Sequence, residues 1–448
     1  DVYKRQLGAM MPNTKPASPE RIVIVGGGAG GLELAAKLGR IHGRQHITLV
    51  DSRPFHIWKP SLHEAAAGTL DIHQEGLSYL MLAHMNGFSF AQGRLVGVNR
   101  ERRLVTVDPV SDSQGQEVLP RRELAYDTLV LALGSTSNFF NTPGAADHAV
   151  TLDTTENAEQ FRLTMLKAMA LVDQAKVRDP SARLDLVIVG GGATGVELAV
   201  ELTEASHVVS AYGLPNFRAE RDLAITLVEG APRILSALPE KISTAATTRL
   251  TELGIRVETA CRVSEVTADS VNTADGRTFP AQLCMWAAGI KGPALLADLD
   301  LPLNKLGQVE VNERLETADP HILALGDCCA APWRDGRTVP ARAQAAHQQA
   351  DYLAKKITAR LRGTAEPTKP YVYEDHGSLV SLGQDAGVGS LMGKLAGRGL
   401  FVSGTLARLM YMSLHLMHHK AVLGISRTAS LALARLLMRR TRPRVKLH

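Results

Sequence analysis

Val23-Ile24-Val25-Gly26-Gly27-Gly28-Ala29-Gly30-Gly31-Leu32-Glu33-Leu34-Ala35 decides the fold, because the chain carries it twice. Val187-Ile188-Val189-Gly190-Gly191-Gly192-Ala193-Thr194-Gly195-Val196-Glu197-Leu198-Ala199 repeats it at a constant offset of 164 residues. The β-branched run in each copy reads as a buried parallel strand, and the segment after the glycines reads as a helix. Each copy holds GxGxxG: Gly26, Gly28 and Gly31, then Gly190, Gly192 and Gly195. One glycine makes the turn, one lets the backbone approach a pyrophosphate, and one lets helix and strand pack closely. The helix N-terminus then offers free N–H groups to the phosphates.

An acidic residue ends a later strand in both copies. Ile47-Thr48-Leu49-Val50 leads to Asp51, twenty residues past Gly31, and Ser52 follows it. Ile225-Thr226-Leu227-Val228 leads to Glu229, and an insertion over about 205–222 accounts for the longer spacing. Two dinucleotide sites in one chain mean two cofactors, or a cofactor and a dinucleotide substrate. A carboxylate at Glu229 accepts from both hydroxyls of an adenosine ribose and repels a 2′-phosphate. This favours NADH over NADPH, although Arg233 stands close by and works against it.

The rest of the chain bounds the possibilities. At 448 residues it holds two or three domains, and with 45% hydrophobic and 21% charged residues it is globular. The four cysteines, Cys261, Cys284, Cys328 and Cys329, form no CxxC pair, which argues against a zinc ribbon, a thioredoxin-type centre and a ferredoxin. Sparse, unpatterned cysteine fits a reducing compartment. The 15 histidines show no HExxH or comparable spacing, so no metal site is expected. Residues 1–20 read as an N-terminal extension without a secretory signal. Met10-Met11 looks the more natural start, so the first nine residues are expected to be non-native.

The net charge of +5 conceals a division. Beyond Asp385 there is no Asp or Glu, while 11 Lys and Arg run from Lys394 to Lys446. The body keeps 39 basic and 45 acidic residues, a net of −6. Such a tail meets polyanions, either anionic lipid or nucleic acid. No recognisable nucleic-acid module is present, and no apolar run is long enough to span a bilayer. Leu406, Leu409, Met410 and Met417 fall on one side of a helical tail segment; Arg408, Tyr411, His415 and His418 form another stripe. Residues 427–440 again mix Leu and Met with Arg435, Arg439 and Arg440. The pattern is that of helices lying in a membrane interface with arginines at the phosphates, or of a packing helix or dimer contact.

Further segments carry a family resemblance. Tyr126-Asp127-Thr128-Leu129-Val130-Leu131-Ala132-Leu133-Gly134-Ser135, Trp286-Ala287-Ala288-Gly289 and Leu323-Ala324-Leu325-Gly326-Asp327 resemble segments of the two-dinucleotide flavoproteins. Within these, the chain most resembles type II NADH:quinone oxidoreductases of the bacterial short form, over residues 21–448 and without an EF-hand insertion. The marks are Trp58-Lys59-Pro60-Ser61-Leu62-His63-Glu64, the 190–197 run GGGATGVE, Ala343-Gln344-Ala345-Ala346-His347-Gln348, and the closing Arg442-Pro443-Arg444-Val445-Lys446-Leu447-His448. Disulfide reductases and sulfide:quinone oxidoreductases are set aside because they need redox cysteines.

The resemblance implies an α/β fold of two Rossmann-like, glutathione-reductase-like domains. An FAD domain is expected over 21–150 and 303–385, an NAD domain over 151–302, and a C-terminal amphipathic membrane anchor over 386–448. It implies non-covalent FAD held by Gly26, Gly27, Gly28, Ala29, Gly30, Gly31, Asp51, Ser52, Lys59, Ala132, Gly134, Asp327, Ala346 and His347. NADH would lie on Gly190, Gly192, Gly195, Glu229 and Gly289. The reaction implied is hydride transfer from NADH to flavin, then two electrons to ubiquinone or menaquinone without proton pumping. Gln344 and Gln348, four apart on one helix face, would contact the quinone, and Glu197 would relay protons. Structural readings stand beside these: a helix cap for Asp327, a surface histidine for His347, and a dipole partner for Glu197. The implied place is the cytoplasmic face of a bacterial inner membrane, bound peripherally to anionic lipid, with a homodimer possible and no nucleic acid. Truncation before Gly404 is then expected to spare NADH oxidation by a water-soluble acceptor. The rival functions are a soluble NADH-dependent flavin or ferredoxin reductase, and a non-enzymatic NAD-responsive flavoprotein.

Overall fold

Ile22–Val25 and Leu184–Val189 are buried along their whole length, as the apolar runs before the glycines require. The computed structural model describes residues 20–383, 387–391, 400–403, 405–438 and 445–447. Each of these strands is the centre of a five-stranded parallel sheet. The first sheet runs Ile322–Ala324, Thr128–Leu131, Ile22–Val25, Ile47–Asp51, Ser89–Gln92. The second runs Ala149–Thr151, Leu283–Trp286, Leu184–Val189, Leu223–Val228, Arg256–Glu258. The register is the same in both: Val25 lies between Val50 and Leu131, and Val189 between Val228 and Trp286. The sequence repeat is thus a repeat of sheet topology, with the acidic strand on one side of the glycine strand and the returning strand on the other.

The boundaries shift from those expected. Ala149–Thr151 pairs with Leu283–Trp286, so the chain enters the second domain before residue 149, not after 150. Gly377–Ser381 pairs with Gly387–Leu391, which pairs in turn with Leu400–Ser403. This three-stranded antiparallel sheet straddles the boundary expected at 385.

The C-terminal segment is more than an appendage. The helix Thr405–Leu423 packs on the first Rossmann helix, Ala29–His42, and on Tyr79–Asn86. Val422 joins the first hydrophobic core, and Asn86 Nδ2 donates to its carbonyl at 3.0 Å. The polar stripe expected at the phosphates is corrected by this packing. His418 and His419 are buried, His415 stacks beside Trp58, and Met417, expected on the apolar side, is exposed. Arg435 is corrected likewise, since it pairs with Glu75 of the body. Residues 445–447 also dock on the body: Lys446 lies 3.2 Å from Asp71 and 3.4 Å from Glu159, and Arg162 donates to its carbonyl. Arg439 and Arg440 lie outside the described residues, as do the side chains of Leu406, Arg408, Leu409, Met410 and Tyr411. Among the described residues no helix is long and apolar enough to cross a membrane.

Candidate functional site

The two glycine turns have the same construction. Gly26 has φ +107° and Gly190 φ +112°, a region that disfavours any Cβ. A Cβ on Gly31 would lie 1.9 Å from the Gly26 carbonyl oxygen, and one on Gly195 1.9 Å from that of Gly190. Gly28 and Gly192 open onto free space beside the first turns of Ala29–His42 and Ala193–Gly213. The turning, open and packing roles therefore fall on the expected glycines. An open cradle at the N-terminus of a long helix fits a pyrophosphate.

The acidic residues sit against these turns. Asp51 accepts from the Gly27 N–H at 2.7 Å and the Arg53 N–H at 2.9 Å. Glu229 accepts from the Gly191 N–H at 2.6 Å and the Ala231 N–H at 2.7 Å. Ser52, next to Asp51, is exposed. Arg233 is drawn onto the carbonyls of Leu235 and Ser236.

A second group of residues converges beyond the first turn. Asp327 accepts from Ser135 Oγ at 3.1 Å, and Lys59 Nζ donates to the Ser135 carbonyl at 2.8 Å. Asp327 caps no helix. Burial raises its pKa, with the Ser135 hydroxyl and Lys59 opposing. Gln349, which the sequence reading missed, accepts from the Gly326 N–H at 2.7 Å and so fixes the turn that presents Asp327. A Cβ on Gly30 would lie 3.2 Å from that of Ala346, so the Ala343–Leu361 helix closes against the first Rossmann helix there. Ala132 packs on Gly31, Gly134 takes φ +70°, and Gly289 lies against the Phe140 ring. His347 is engaged by Glu33, with its Nδ1 2.5 Å from the carboxylate.

The sequence matches the pyridine nucleotide-disulphide oxidoreductase family over residues 20–350. It is 39% identical to the type II NADH:quinone oxidoreductase of Haemophilus influenzae over 96% of this chain and 100% of that one. It is 31% identical to demethylphylloquinone reductase NdbB of Synechocystis over 87% of this chain and 89% of the relative. The chain belongs to the type II NADH:quinone oxidoreductases. A solved structure of NDH2 from Plasmodium falciparum in complex with NADH shares the fold, with a TM-score of 0.77 over 95% of this chain and 100% of that one, at 19% identity.

The four cysteines of this type II oxidoreductase are buried free thiols. Cys328 donates to the Leu325 carbonyl at 3.2 Å, and burial pushes its pKa up to about 12. Cys284 is pushed to about 12 by burial too. Neither forms a thiolate at neutral pH, so they pack and do not react.

The three expected catalytic residues fall into two places. Gln344 Oε1 accepts from Tyr373 Oη at 2.6 Å and from the His376 N–H at 3.3 Å. Gln348 makes a reciprocal pair with the Glu374 backbone, at 2.8 and 3.0 Å. Glu197 is buried between the helix Leu62–Ala67 and the strand Gly377–Ser381, accepting from the Ser381 N–H at 3.0 Å. Ser381 lies five residue steps beyond His376, about 16 Å of extended chain. The glutamines and Glu197 are thus tied to opposite ends of one strand. Burial raises the Glu197 carboxyl to about 8, with Glu64 and Glu201 adding to it and the Ser381 N–H opposing. His63 Nδ1 lies 3.7 Å away, and burial lowers that histidine to about 4. His63 Nε2 is buried without a hydrogen-bond partner.

Proposed function

We propose that the first Rossmann unit of this NADH:quinone oxidoreductase holds FAD and the second NADH, with the quinone reached near Gln344. FAD supplies the carrier that takes a hydride from NADH and passes two electrons to quinone. The observation that carries the reading is two congruent dinucleotide cradles in one chain. Asp51 and Glu229, beside their turns, are placed to accept from ribose hydroxyls. Asp327, held by Ser135 and flanked by Lys59, is placed for a polyol hydroxyl between the cradles.

On the quinone side, Tyr373 fixes the amide of Gln344 by donating to its oxygen. That leaves the Gln344 N–H₂ to donate to a quinone oxygen. Gln348 spends both ends of its amide on Glu374, so it positions the 373–376 segment instead of touching substrate. Glu197 is protonated at neutral pH, and neutral His63 stands beside it. A buried carboxylic acid next to a neutral imidazole can hold and pass a proton, which quinone reduction consumes. Membrane binding is assigned to the exposed apolar face of the helix Ile425–Met438.

Stopped-flow spectroscopy tests the reading. NADH should bleach the flavin, and a short-chain quinone should restore it at a rate that supports turnover. Bleaching followed by reoxidation with a ferredoxin but not with quinone would sink it.

A further inference from the structure

Glu33 lies in the first Rossmann helix among Leu32, Leu34 and Ala35, and is 1% exposed. Three cations or imidazoles close on its carboxyl group: Lys37 at 3.2 Å, His347 at 2.5 Å and His418 Nδ1 at 2.8 Å. His418 Nε2 lies 2.9 Å from His56 Nε2. His56 Nδ1 lies 2.9 Å from the Gly27 carbonyl oxygen, which also accepts from Tyr79 Oη at 2.7 Å. A row of contacts therefore runs from the C-terminal helix to the turn of the first dinucleotide cradle.

The row has a countable proton content. A carbonyl and a carboxylate only accept. Three contacts in series, Gly27 to His56, His56 to His418 and His418 to Glu33, need one proton each. Two neutral imidazoles bring two, so the row holds one more. Burial above all, and then His418, holds His56 well below the usual histidine range. His56 is thus neutral, with its proton on Nδ1. Burial pushes the Glu33 carboxyl up, but the hydrogen bonds from His347 and His418 outweigh it and leave it well below the usual range. His56 Nε2 is then the acceptor at the contact between the two rings, and His418 Nε2 the donor.

The Gly27 carbonyl shares a planar trans peptide with the Gly28 N–H, so the two point in opposite directions. Holding the carbonyl inward aims that N–H into the open cradle. The second unit meets the same need differently, since the Gly191 carbonyl accepts from the Leu235 N–H at 2.7 Å. We propose that His418 and His56 are positioning residues of the FAD site, through which the C-terminal helix aims the Gly28 N–H at the pyrophosphate. This rests on FAD occupying the first unit.

Apoprotein titrated with FAD, followed by flavin fluorescence, tests the proposal on full-length chains. His56→Leu removes one of the two donors to the Gly27 carbonyl and strands the His418 ring, and His418→Leu strands His56 Nε2, so each should raise the FAD dissociation constant about tenfold or more. His56→Gln should bind within about threefold of the parent, because its amide donates to Gly27 and accepts from His418. NADH affinity at the second unit should stay within about twofold in every variant. Leucine variants that bind FAD like the parent would overturn the proposal, and so would a glutamine variant as weak as the leucine one. If the leucine variants do not fold, His56→Gln decides alone: near-native FAD affinity supports the relay, and its loss overturns it. A parent chain that takes up no FAD would instead refute the assignment of the first cradle.

Discussion

Glu229 and Glu197 are both carboxylates of the second unit, yet their surroundings give them opposite work. Glu229 sits at the rim of an open cradle with two backbone N–H donors, and Arg233 is turned onto carbonyls away from it. Glu229→Ala should therefore raise kcat/KM with NADPH relative to NADH by about tenfold, measured by steady-state assay of both donors. An unchanged ratio would place the ribose elsewhere. Glu197 is buried, and its carboxyl moves from 4.5 to about 8. The folded value is raised, so its contribution to stability is complete below pH 4.5 and is lost as pH rises towards 8. Glu197→Gln removes that dependence. The melting temperature of the variant should gain on the parent between pH 5 and pH 8.5, and parallel curves would contradict the burial argument. The variant should also slow quinone reduction while keeping FAD.

At the scale of elements, the Ala343–Leu361 helix joins the turn proposed to meet the flavin to the segment proposed to meet the quinone. Its buried face carries Ala346 and Gln349 towards the Gly326 turn, and its first turns carry Gln344 and Gln348 towards 373–376. Gln344→Ala should lower quinone turnover by about tenfold and leave flavin bleaching by NADH within about twofold, since it removes one donor to the second substrate. Gln348→Leu should act through KM for quinone, by loosening the segment that orients Gln344. Equal loss in both half-reactions would assign these residues to folding. The elements of the two units were legible because each glycine has a local steric cause that recurs 164 residues later. Gly377–Ser381 and its partner strands were not, because Gly387–Leu391 is glycine-rich and lacks the alternation of a half-buried strand. Nor was the Glu33, His418 and His56 row, whose first two members stand 385 residues apart. Counting histidine as polar turned its stripe outwards, whereas a paired imidazole can be buried. The one signal was Glu33 itself, a carboxylate in an otherwise apolar stretch of helix.

For the whole molecule, membrane binding has to be reconciled with a tail that is half built into the body. Truncation before Gly404 would remove His418 and Val422 with the rest, so flavin loss would accompany release, against the simpler expectation from sequence. The surface that remains available is narrower. Ile425, Leu433 and Leu437 are 71%, 58% and 64% exposed and follow one another at steps of eight and four residues, which keeps neighbours in the series on one side of the helix. Leu80 and Met81, on a neighbouring helix that packs against Thr405–Leu423, are exposed as well. Of the tail cations, Arg435 and Lys446 are spent on Glu75, Asp71 and Glu159, while Lys420 and Arg427 are exposed. Anionic lipid should attract each free cation by about 1 kcal/mol near the surface, a contribution that salt screens. Leucine insertion supplies the part that salt does not remove, about 1.5 kcal/mol per side chain. Leu433→Asp with Leu437→Asp should then weaken binding to anionic vesicles by about two orders of magnitude in a sedimentation assay. NADH oxidation with a water-soluble acceptor should persist, because both side chains are exposed and belong to neither glycine turn. Activity with a long-chain quinone should fall in step with vesicle release. If the double variant sediments like the parent, or the parent washes off completely in high salt, this face does not enter lipid and is better assigned to contact between two copies of the chain.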